Sequence, residues 1–119
     1  MLRYPSMRRE LVECLEILGS PELRDGRTGE PIQLDVPVHF LFDDSVLADD
    51  AERAIGWYLV DADEAQLVRD VIGAIDRIFV AHGTEHPDQY FLELPEWTRV
   101  LGLARTAATT LKDRDPGHW

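Results

Sequence analysis

The chain has 119 residues, 45% of them hydrophobic and 29% charged, a size and balance that fit one folded domain and exclude a disordered or fibrous chain. Its formal net charge of −11 and its single lysine, Lys112, argue against a nucleic-acid binder, because a protein that neutralises phosphates needs clustered cations. The charge is concentrated: residues 35–70 hold ten Asp or Glu against Arg53 and Arg69, a net −8 within the −11. A focused negative field attracts cations and basic partners.

The N-terminal stretch is broken by Glu10, Glu13 and Glu16, so neither a signal peptide nor a membrane span is expected there. Met7, Leu11, Cys14, Leu15 and Leu18 recur at helical spacing, with Arg8, Arg9 and the three glutamates read on the polar side. Pro5 suits the first turn and Gly19 the end. Cys14, the only cysteine, can form no internal disulfide and reads as a buried thiol in a cytoplasmic protein. Residues 19–34 are rich in breakers and read as a surface loop, with room for one short helical turn after Pro21.

Residues 35–43 fit two periods. Val36, Val38, Phe40 and Phe42 alternate like a strand, whereas Val36, Phe40 and Leu41 also share a helix face. Asp35 as a cap and Pro37 in a first turn favour helix, since Pro in a paired strand removes a ladder hydrogen bond. The alternative is an α+β fold with a small hairpin pairing 36–42 with 55–60. Asp50 is expected to cap a helix whose face carries Ala51, Ala54, Ile55, Tyr58 and Leu59, with Gly56 weakening it.

The strongest pattern spans residues 62–82, where Leu67, Val68, Val71, Ile72, Ile75, Ile78 and Phe79 form one stripe. Asp61 and Glu64 have the spacing of a capping box, and Gly83 stands where a helix-ending glycine belongs. YFLEL reads as a single turn. Pro95 then opens a last helix with Trp97, Val100, Leu101, Ala104, Ala107, Ala108 and Leu111 on one face, and residues from Asp113 read as a tail in which Trp119 is the one docking candidate. The expected architecture is a single all-α domain, residues 1–119, of about five mostly antiparallel helices.

Chemistry-bearing residues are sparse. His39 and Asp43 are four apart, with Asp44 beside them, which on a helix gives two or three metal ligands on one side. His82 and His86 are also close but are separated by Gly83 and followed by Pro87. The pairs Asp43–Asp44 and Asp49–Asp50 fit helix capping and solvation better than acid–base catalysis. Ser6, Ser20 and Ser45 lie in no nucleophile motif, Cys14 sits on an apolar face, and the glycines form no phosphate-binding loop, so no cofactor is expected. Trp57 and Tyr58, adjacent in sequence, point about 100° apart on a helix, which leaves one near the surface. A ring beside a negative patch has the makings of an interaction hot spot.

The runs HFLFDDSVLADD and AIGWYLVDADEAQLV, with LPEWTRVLGLA later, resemble a group of small uncharacterised actinobacterial proteins carrying LFDD and IGW-x-L motifs. The same order of acidic turn, IG step, long acid-capped helix and closing P-x-W helix is similar to that of helical immunity proteins of contact-dependent growth inhibition systems. That resemblance implies an all-helical fold and a toxin domain as partner, and carries over no individual contact residue. The leading expectation is a non-enzymatic, cytoplasmic protein-binding module, immunity-like, that meets a basic toxin through Asp43, Asp44, Asp49, Trp57 and His39. The alternatives are a metal-assisted enzyme using His39, Asp43 and Asp44, and an accessory domain that self-associates. A monomer or weak homodimer is expected, without nucleic acid or membrane.

Overall fold

A computed structural model of the chain describes residues 2–20, 35–44, 47–86 and 88–114, without the side chains of Asp35, Val36, Asp43, Asp44 and Asp88. The expected turn after Pro21, Ser45, and Trp119 lie outside the described residues. Six α-helices follow in order: α1 Pro5–Leu18, α2 Asp35–His39, α3 Leu47–Asp50, α4 Ala62–His82, α5 Asp88–Leu92 and α6 Trp97–Asp113. A π-helical turn, Phe40–Asp44, continues α2, and a 3₁₀ turn, Ala51–Ala54, follows α3.

The fold is all-α, as the periodicity predicts, and the described residues hold no strand. The hairpin alternative fails because 36–42 is helical and residues 55–59 close on themselves through an isolated bridge between Ile55 and Leu59.

Helix α6 packs against both α1 and α4. Helix α4 runs antiparallel to it. At one end of α4, Arg114 reaches Asp61 at 2.9 Å, and at the other, His82 meets Glu96. The end of α1 abuts α6 so closely that a Cβ on Gly19 would lie 2.9 Å from the backbone nitrogen of Arg105. The small residues Ala104, Ala107 and Ala108 of α6 are buried along with Trp97, Val100 and Leu111.

Two expectations about local structure are corrected. The helix foreseen from Ala51 to Leu59 stops at Ala54, and Ile55 is exposed while Tyr58 and Leu59 are buried. The amides of Trp57, Tyr58 and Leu59 converge on the Ala54 carbonyl, and Gly56 has φ +87°, a region open to glycine at little cost. The IGWYL run is therefore a tight turn, closed by a Gly56 N–H to Leu59 carbonyl bond of 2.9 Å.

The second correction concerns Arg8, which belongs to the buried face of α1 and not to its polar side. It is 1% exposed, and its partner Glu64, on α4, is 0% exposed. Arg8 Nη1 and Nη2 donate to Glu64 Oε1 and Oε2 at 2.8 and 3.0 Å. The same guanidinium donates to the carbonyls of Tyr58, at 3.1 Å, and Leu111, at 2.9 Å. A buried carboxylate is tolerated only when its oxygens are satisfied, and Glu64 Oε1 also accepts the Val60 N–H at 2.8 Å.

Candidate functional site

Helix α4 starts where Asp61 Oδ1 accepts the Glu64 N–H at 3.1 Å, half of the expected capping box. In the other half Glu64 reaches back past the cap to Val60 and into the core to Arg8. Glu64 thus leaves the acidic surface to which its position in residues 35–70 assigned it. Asp61 faces solvent, and the Glu64 N–H bond first, then Arg114, holds its carboxyl below the usual range. Arg69 pairs with Glu52 at 3.2 Å, and Arg114 also approaches Asp63, at 3.9 Å.

The residues singled out from the sequence fall on successive elements. His39 ends α2 and is exposed; Asp43 and Asp44 lie in the π-helical turn that follows, their side chains outside the described set. Asp49 is exposed on α3, and Asp50 caps the 3₁₀ turn by accepting the Glu52 N–H at 3.2 Å. The π-helical turn packs against both α2 and α3, so the backbone carrying Asp43 and Asp44 stands next to the helix that carries Asp49.

Trp57 packs against the N-terminal segment. It is half-buried and its ring meets Tyr4 edge-on, with centroids 6.1 Å apart. The N-terminal segment is tied to the same turn, because the amides of Arg3 and Tyr4 donate to the carbonyls of Gly56 and Trp57 at 3.1 and 2.7 Å. Tyr4, and Ile55 and Val60 at the two ends of the turn, are 39%, 36% and 40% exposed. Tyr58 is the buried member of the adjacent aromatic pair, at 1% exposure.

A polar cluster that the sequence reading did not assemble lies at the far end of α4. Glu96 accepts from His82 Nε2 at 2.5 Å, and Tyr90 Oη lies 3.2 Å from His82 Nδ1. His86 donates from Nε2 to the His82 carbonyl at 2.8 Å and stacks on Tyr90 with centroids 3.9 Å apart. These contacts join α4, α5 and the start of α6. The spacing of His82 and His86 was the available signal; Tyr90 and Glu96 join them only through the turn at Gly83.

Among the described residues no group of three or more His, Cys, Asp or Glu is arranged to hold a metal ion. Cys14 is buried, and burial, with Glu10 and Glu13 nearby, pushes its thiol up to about 11, so it stays protonated at neutral pH. No helix of the described residues is long and apolar enough to cross a membrane.

Fold and site together define a small all-α domain with an ion pair locked in its core and acidic and aromatic side chains on its connecting turns. The chain belongs to the family described as Domain of unknown function (DUF7945), which it matches over residues 2–118. No curated protein and no solved structure matches it.

Proposed function

We propose that this chain is a non-enzymatic, cytoplasmic protein-binding module of the immunity type, which neutralises a basic toxin domain through the surface around Asp43, Asp44, Asp49 and Trp57. The observation that carries the reading is the charge left on residues 35–70. Three cations from outside residues 35–70, Arg3, Arg8 and Arg114, are brought onto the segment by the fold and reduce its −8 to −5. Asp49 and Asp50 remain exposed on its outer turns. The LFDD acids sit on a π-helical turn, a local distortion concentrated at functional sites. An acidic inhibitor suits a basic toxin because it occupies a site built for phosphates and is steered to it by charge.

The test is co-purification with the product of the adjacent gene, followed by titration of the pair at low and high salt. A submicromolar complex that weakens with salt, and weakens at least tenfold on reversing Asp43, Asp44 and Asp49 to Lys, is expected. Binding indifferent to those reversals would refute the assignment.

A further inference from the structure

Helix α4 turns one face to the core and the opposite face to solvent, and Gly73 stands in the middle of the solvent face. At about 100° per residue, Gln66, Arg69, Asp70, Asp76, Arg77 and Val80 all fall within about 60° of Gly73 around the helix, and every one of them is exposed. Val80 is 80% exposed, and a Cβ on Gly73 would meet nothing within 4 Å. One continuous strip of helix is therefore open to a neighbour, with its lowest point at the glycine.

The charges on this strip read the same in both directions. In the run RDVIGAIDR, residues 69–77, Arg69 and Arg77 stand four positions to either side of Gly73, and Asp70 and Asp76 three. On the helix surface they form two rows, Arg69 with Asp76 on one flank and Asp70 with Arg77 on the other. Each row has its cation about 6 Å from Gly73 along the axis and its anion about 4.5 Å away in the other direction. A twofold axis through Gly73, lying across the helix in the plane of contact, turns each row end for end and lays it on its own copy. Arg69 of one chain then faces Asp76 of the other, and Asp70 faces Arg77, each pairing occurring twice. Glycine at the axis lets the two backbones approach closely, and Val80 lies beside the Arg69 stem of the opposite chain.

The contacts these groups already make leave them available. Asp76 and Arg77 form no ion pair or side-chain hydrogen bond among the described residues. Asp70 accepts from Gln66 Nε2 at 2.8 Å and Arg69 donates to Glu52 at 3.2 Å, both at exposed positions where such bonds hold weakly. A guanidinium has donors enough to keep Glu52 while taking a second carboxylate.

We infer that this face of α4 is the interface of a symmetric homodimer, with a second copy of the chain as its occupant. The strip is neutral as a whole, so it favours neither a basic nor an acidic partner, and a copy of itself is what matches the order of its signs. The inference goes beyond the proposed toxin-binding role and does not depend on it. One helix laid on one helix covers less than the about 1,200 Å² of a stable complex, so the dimer forms and dissolves with concentration.

The test is sedimentation equilibrium of the native chain from about 10 μM to about 1 mM, beside two charge-swapped variants. Arg69→Glu with Arg77→Glu makes the strip wholly acidic, and Asp70→Lys with Asp76→Lys makes it wholly basic, all at exposed positions. The native chain is expected to pair within that range, and each variant alone to pair at least about tenfold more weakly. An equimolar mixture of the two variants is expected to regain native pairing, because it restores opposite signs while carrying the same total charge as two native chains. On dilution of the isotope-labelled native chain, the amide shifts are expected to centre on residues 66–80, a readout that needs no variant. A native chain that stays monomeric to the highest concentration overturns the proposal, and so does pairing that survives both swaps or dilution shifts centred elsewhere. A mixture that stays monomeric while the native chain pairs overturns the twofold register about Gly73.

Discussion

Arg8 and Glu64, on different helices, face each other in the core with two guanidinium nitrogens on two carboxylate oxygens, at 2.8 and 3.0 Å. Removing one member strands the other charge in a medium that cannot solvate it. Arg8→Met and Glu64→Leu are each expected to destabilise the domain by about 3–5 kcal/mol, and the double variant by clearly less than the two losses combined. Chemical denaturation of the four proteins closes the cycle, and simple additivity would show that the two charges are not coupled.

The lock was partly legible in the sequence. Arg8 lies at i−3, i−4 and i−7 from Leu11, Val12 and Leu15, and Glu64 lies at i−4 and i−7 from Val68 and Val71, so each is the charged end of an apolar stripe. Opposite charges at such positions on two helices are a sign of a buried pair. Helices α1, α4 and α6 were legible to within a residue or two, because period, caps and breakers agree there. The turn at 55–59 was not, since its apolar residues also fit a helix face and only the positive φ of Gly56 decides. The aromatic half of the candidate site was hidden for a related reason. The neighbour of Trp57 is Tyr4, 53 positions away in sequence, and no local period reports a contact of that range.

Gly19 and Gly102 should respond oppositely to the same change. A methyl on Gly19 meets the Arg105 backbone at 2.9 and 3.1 Å, so Gly19→Ala is expected to cost about 1–3 kcal/mol through the shift of α1 against α6. Gly102 lies within α6 with open space around the added carbon, and Gly102→Ala is expected to stabilise by about 0.5–1 kcal/mol. Melting temperatures of the two variants decide the point.

Acid should weaken the domain through Asp61 and Glu96. Each carboxyl is held below its ordinary value, Asp61 by the Glu64 N–H first and Glu96 by His82 first. A depressed carboxyl contributes stability that is full above its unfolded value, 3.8 for Asp61 and 4.5 for Glu96, and is lost as the pH falls through the folded value. Melting temperature is therefore expected to decline from about pH 4.5 downward. Asp61→Asn, which keeps an oxygen to cap α4 but removes the charge, should flatten that decline, and an unchanged slope would rule out the Asp61 share.

The Cys14 thiol, raised to about 11 and enclosed by α1 and its neighbours, should be silent to a thiol reagent at pH 8 in the native protein. One equivalent is expected to react on unfolding in guanidinium. Rapid native labelling would mean that α1 opens readily from α6.

The four acceptor atoms around Arg8 come from three residues, Tyr58, Glu64 and Leu111, and the last of them, the Leu111 carbonyl, belongs to the helix that α1 and α4 both lean on. On the ribosome, a chain that ends before residue 111 holds a cationic side chain with an incomplete shell and two amphipathic helices lacking their shared wall. Synthesis order and packing order are thus opposed, and the domain is expected to gain its stable packing only after residue 111 has emerged.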